Sequence, residues 1–180
     1  MSKISLSGMF RHKGSYSALI YSLVALLLLL LQCAPHGFPT LFHVRPAPLV
    51  PFVVCVAILE GARAGVMIGT FSGLLWGIYS FRLFGMDALL LMALGLAAGL
   101  LVEWLLRANF LSALLLCSAG ILVQALLEWL LCYPLLGKPQ AAAVLLQAYL
   151  PACLYTMLLI PPIYFLVLFL ARRIRRRVRD

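Results

Sequence analysis

The chain has 180 residues, of which 65% are hydrophobic and 11% charged, and its mean hydropathy is +1.10. Soluble domains carry about 25% charged residues, so this composition excludes a water-soluble globule and describes a single integral membrane domain, 1–180. The formal net charge of +9 does not signal nucleic acid, because six of the fourteen basic residues (Arg172, Arg173, Arg175, Arg176, Arg177 and Arg179) form a tail directly after an apolar run, a placement that sets topology and attracts anionic lipid.

Residues 1–15 are polar and basic, with Lys3, Arg11 and Lys13. Tyr16 to Ala34 is a leucine-rich run long enough to span. A signal peptide has a shorter apolar core and a small-residue cleavage site, so 16–34 reads as an uncleaved first span. Leu30-Leu31-Gln32-Cys33 approximates a lipoprotein cleavage site, but Gln32 stands where a small residue is needed, and no cleavage is expected. Residues 35–48 hold four prolines with His36, His43 and Arg45 and read as an external loop.

The second span, 49–59, is short, and Pro51 makes its start irregular. Glu60-Gly61-Ala62-Arg63 reads as a tight turn into a third span, 64–80. Gly61, Gly65, Gly69, Gly73 and Gly77 recur at an unbroken spacing of four, which keeps them on nearly one face of a helix. In water each such glycine weakens a helix by roughly 1 kcal/mol relative to alanine. In lipid a stripe of small residues lets another helix approach closely. Gly95 and Gly99 repeat the device in the next span. These seven glycines read as a surface for helix packing or for a partner, and either use remains open.

Phe81 to Asp87 is a short external connection, followed by a fourth span, 88–106, and a turn at Arg107-Ala108-Asn109. The fifth span, 110–133, ends before Pro134, Gly137, Lys138 and Pro139, and the last, 145–171, is expected to bend near Pro161-Pro162 before the basic tail 172–180. Six spans put both termini on one side. With that side cytoplasmic, eleven of the fourteen basic residues are internal and three (Arg45, Arg82, Lys138) external, as the positive-inside rule requires.

Chemistry-bearing residues are few. The acids are Glu60, Asp87, Glu103, Glu128 and Asp180. Glu103 lies four residues before Arg107, the favourable order for a helix pair. Glu60 and Arg63 are placed to pair or cap in the internal turn, or to meet a cytoplasmic partner. Asp87 opens the fourth helix, where a negative side chain caps well. Glu128, one turn after Gln124 and beside Trp129, reads first as reaching the interface and second as lining a ligand cavity with Gln124. The five cysteines form no C-x-x-C pair and read as small hydrophobes. All three histidines lie outside the spans. No metal site, cofactor or catalytic residue is expected, and Gly69-Thr70-Phe71-Ser72-Gly73 lacks the spacing of a nucleophile elbow.

Pro48-Leu49, Glu60-Gly61, Gly65, Gly69, Gly73-Leu74-Leu75 and Gly85-Met86-Asp87-Ala88-Leu89 resemble the rod shape-determining protein MreD family over about residues 46–105. One departure stands out: Gly77 occupies a place where members often carry an acidic residue. The resemblance implies an all-α bundle of about six transmembrane helices, similar to the substrate-binding subunit of energy-coupling-factor transporters. It implies a non-enzymatic plasma-membrane scaffold for cell-wall elongation that binds MreC and, less directly, MreB, RodA and a class B penicillin-binding protein. The alternative is a substrate-capture subunit of a vitamin-type transporter, for which Gln124, Glu128, Gln147, Tyr149, Tyr155 and Thr156 are the available polar groups.

Overall fold

The structure, a computed structural model, describes residues 6–34, 46–80, 85–104, 110–132 and 149–177. They form α1 (Leu6–Cys33), α2 (Leu49–Glu60), α3 (Ala62–Ser80), α4 (Met86–Trp104), α5 (Phe110–Cys132), α6 (Leu150–Leu158) and α7 (Ile160–Arg177), with no strand among the described residues. The bundle is helical because lipid offers backbone groups no partner, so each segment must satisfy its own.

The hub is α2. Every residue from Leu49 to Ile58 is buried, and the helix packs on α1, α3, α4, α5 and α7. Its sequence has no polar side chain before Glu60, the pattern of a helix enclosed on all sides. Twelve residues rise only about 18 Å, short of the roughly 30 Å hydrocarbon core. A segment this short serves by being surrounded. Between helices in lipid the gain comes from dispersion and close fit more than from the hydrophobic effect, and Phe52, Val53, Val54 and Val56 offer branched or flat surfaces to that fit on every side.

Gly61 ends α2 and reverses the chain. Its φ of +94° suits glycine, and its N–H donates to the Ala57 carbonyl at 3.0 Å. The chain therefore folds back at this residue, and α3 runs antiparallel to α4 in the most extensive helix contact of the bundle.

By length and apolarity α4 and α5 can each cross a membrane alone, and α6 with α7, bent by 43°, makes a third crossing if taken as one span. The bend falls at Leu159, just before Ile160-Pro161-Pro162, because prolines there have no N–H for the preceding turn. The apolar parts of α1 and α3, Ser17–Cys33 and Ala62–Ile78, are shorter. Helix α1 starts at Leu6, well before the expected Tyr16. The connections at 35–45, 81–84, 105–109 and 133–148, with His36, His43, Arg45, Arg82, Arg107, Lys138 and Gln147, lie outside the described residues, as do Arg179 and Asp180.

Candidate functional site

Three features gather the residues singled out by sequence. The first is the α3–α4 seam. A Cβ on Gly65 would sit 2.7 Å from the Gly95 carbonyl oxygen, one on Gly69 2.5 Å from that of Leu91, and one on Gly73 2.4 Å from the Ala88 Cα. Gly95 and Gly99 return the contact onto Gly65 and Ala62. Backbone therefore meets backbone along the seam, and the stripe is occupied within the chain. Gly77 differs: among the described residues the nearest neighbour of a Cβ there would be the Gly85 nitrogen at 3.9 Å, an ordinary contact. The seam ends before it.

The second feature is the end of the bundle near Gly61. The Tyr21 hydroxyl, on a buried residue of α1, donates to Glu60 Oε1 at 3.3 Å. Glu103 Oε1 accepts the Ala62 N–H at 3.1 Å, satisfying one of the donors that a helix start leaves open. So Glu60 engages Tyr21 and Glu103 caps α3, while Arg63 is exposed. At the other end of the seam Gly85, with φ +90°, holds the cap position, its carbonyl accepting the Leu89 N–H at 3.0 Å. Asp87 is buried in the first turn of α4 and is not the cap; a carboxylate there still suits the helix dipole. On α7, Arg172 and Arg173 are exposed, and the Arg173 guanidinium lies 5.6 Å from the Phe169 ring centre. The helix backbone continues through Arg175, Arg176 and Arg177.

The third feature is a cavity of about 230 Å³ at the end opposite Gly61, where α1, α3 and α5 finish and α2 and α6 begin. Gln32, Trp76, Gln124, Glu128, Tyr149 and Thr156 line it. Gln124 is 4% exposed; its Nε2 donates to Glu128 Oε1 at 3.0 Å. Its own Oε1 and the Oε1 of Gln32 are buried with no hydrogen-bond partner among the described residues. Thr156 is saturated, its hydroxyl accepting the Ala47 N–H at 3.1 Å and donating to the Ala152 carbonyl at 2.7 Å, which pins the start of α2 to α6. Glu128 therefore stands beside Gln124 in a cavity wall, the second of its two sequence readings. Gln32 and Trp76 reach the cavity through the fold. The available signal was a glutamine closing a run of six leucines, a polar residue at membrane depth that needs a reason. Among the described residues no three His, Cys, Asp or Glu side chains converge to hold a metal ion.

Fold and polar sites together define a helical integral membrane protein. The family model of the rod shape-determining protein MreD matches residues 13–174, nearly the whole chain. The chain belongs to the MreD family, whose members are membrane proteins that determine cell shape. No curated protein and no solved structure matches it.

Proposed function

We propose that the protein is a non-enzymatic scaffold of the bacterial cell-wall elongation machinery, spanning the plasma membrane six times with both termini cytoplasmic and binding MreC. The observation that carries this is the family match over residues 13–174. The architecture is compatible: the tightest seam is closed within the chain, and the outward faces of α1 and α5 carry exposed leucines such as Leu19, Leu23, Leu115 and Leu126, leaving lateral apolar surface for partner helices or lipid. Exposed arginines at the end of α7 offer contact with anionic headgroups.

The test is chemical crosslinking in native membranes, then affinity purification in mild detergent with mass spectrometry. Recovery of MreC, together with rounding of rod-shaped cells on depletion, is the expected outcome. Recovery of paired ATPases with a membrane coupling subunit, in place of MreC, overturns it in favour of substrate capture. The cavity is the one observation on that side. At about 230 Å³ it falls below the 300–1,000 Å³ usual for drug-sized ligands, so a whole vitamin fits it poorly.

A further inference from the structure

The cavity between α1, α3, α5 and α6 is built in a way that packing alone does not explain. Two amide oxygens, Gln32 Oε1 and Gln124 Oε1, are buried in its wall without a donor among the described residues. A buried acceptor without a donor costs about 1–3 kcal/mol. Leucine at position 124 would avoid that cost at similar volume.

The orientation of Gln124 is fixed by its neighbour. Its amide nitrogen donates to the Glu128 carboxylate at 3.0 Å, and turning the amide over would set oxygen against oxygen. The oxygen is therefore held towards the cavity. Glu128 adds a carboxylate to the same wall and Trp76 an indole. Among the described residues, both unmet needs in this wall are for a donor.

We propose that the cavity binds the ammonium head of a primary amine, which acts as donor to Gln32 Oε1, Gln124 Oε1 and the Glu128 carboxylate. An ammonium carries three donors and no acceptor, matching three acceptors. It is attracted to a carboxylate, and indole is the best aromatic partner for a cation. The volume agrees. With about 30 Å³ of liquid per water molecule, 230 Å³ accommodates a head of a few heavy atoms and little more. The lining runs from Gln32, Val50 and Tyr149 at the helix ends to Gln124 and Ile121, about two and three turns inside α5, so the cavity extends from the end of the bundle into its interior. The amine is then either the head of an ethanolamine phospholipid or a small soluble amine. This inference is independent of the scaffold function and of MreC.

The experiment uses the full chain in detergent and in lipid nanodiscs. Native mass spectrometry compares retention of phosphatidylethanolamine with phosphatidylcholine, whose head has the same charge and no N–H. In parallel, thermal unfolding is followed with ethylammonium or tetramethylammonium at equal ionic strength. The expected result is a preference of about tenfold or more for the N–H-bearing head, the size of one charge-assisted hydrogen bond. A phospholipid preference assigns the lipid as source; stabilisation by ethylammonium without it assigns a soluble amine.

Gln124→Leu, which removes both the cavity-facing oxygen and the donor to Glu128, is expected to abolish the preference. Glu128→Gln, which keeps an acceptor for the Gln124 amide, is expected to weaken binding about tenfold or more. Equal retention of both lipids with no effect of ethylammonium overturns the proposal and leaves the cavity to water. So does a preference that survives Gln124→Leu, because the site then lies elsewhere.

Discussion

Gly73 and Gly77 share one stripe and one spacing, yet the structure gives them opposite roles, and alanine at each position separates the two. A Cβ on Gly73 would lie 2.4 Å from Ala88 Cα, 2.6 Å from the Asp87 carbonyl oxygen and 2.7 Å from the Ala88 nitrogen. These are backbone atoms of a helix, which have no rotamer to escape into. To restore the 3.4 Å where ordinary contact begins, α3 and α4 must part locally by about 1 Å, and a gap of that size forfeits a quarter to a half of each neighbouring dispersion contact. Overpacking of this kind costs about 1–3 kcal/mol. Alanine's better helix propensity returns at most about 1 kcal/mol in water, and less in lipid, where the backbone is held more strongly. The expected outcome for Gly73→Ala is a net loss of about 1–2 kcal/mol, measured by reversible SDS unfolding in mixed micelles with tryptophan fluorescence as the probe. At Gly77 the nearest atom among the described residues would be at 3.9 Å, so Gly77→Ala should stay within about 0.5 kcal/mol of the parent. Equal destabilisation by the two would refute the internal seam. If both variants match the parent alone and differ only once MreC is bound, the stripe serves a partner and the seam described here is wrong.

Other expectations follow from the ends of the helices. Glu103→Ala removes the acceptor for the Ala62 N–H and should cost about 0.5–2 kcal/mol in the same unfolding assay, with Glu103→Gln losing less because it keeps an oxygen there. Tyr21→Phe deletes a 3.3 Å bond to Glu60 and should cost about 0.5–1.5 kcal/mol; a larger loss would mean that the hydroxyl has further duties. Gly85→Ala meets no atom of the described residues within 4 Å but must hold φ +90°, so it should lose about 1–3 kcal/mol to backbone strain, and Gly85→Asn should lose less. Cys55 and Cys117 are fully buried with their Sγ atoms 3.7 Å apart; in single-cysteine variants neither should react with a membrane-permeant maleimide until SDS unfolds the chain, and rapid native labelling of Cys117 would contradict its place against α2.

Much of the helical layout is legible in the sequence because apolar runs and their breakers coincide. The ends of α2, α4 and α5 fall within about two residues of the apolar runs 49–59, 88–106 and 110–133, the usual tolerance of such boundaries. The glycine spacing pointed to close helix contact, and Gly65, Gly69 and Gly73 meet α4 backbone. What the spacing could not reveal is which glycine falls beyond the contact, since Gly77 looks identical in one dimension. Helix α2 was the larger omission. Its shortness and Pro51 suggested an irregular span, whereas a run with no polar side for ten residues, Leu49–Ile58, is the mark of a helix surrounded by others. Glu60, Glu103 and Asp87 were correctly placed near helix ends, but their partners lie on other helices. Tyr21 with Glu60 and Ala62 with Glu103 are about forty residues apart in sequence, beyond any local spacing rule. The cavity was half visible: Gln124 and Glu128 share a helix face by their i, i+4 spacing, but Gln32 and Trp76 reach it only through the fold.

The closed seam bears on where a partner helix can dock. A surface that already brings backbone against backbone from Ala62 to Ala88 cannot also receive a second helix without first being pried open. That leaves the lateral faces. On α1 and α5 these are mainly leucine, and in lipid a leucine face gains nothing simply by leaving the solvent, because the solvent is itself hydrocarbon. Recognition there has to come from shape, or from small residues that let backbones draw near. Gly77, although it lies beyond the seam, is not such a place, because it is buried within the chain. Gly77→Glu would put a carboxylate at this buried position, and the expected outcome is a loss of stability in the same unfolding assay. Unfolding of that variant at the parent's SDS concentration would contradict the burial of Gly77.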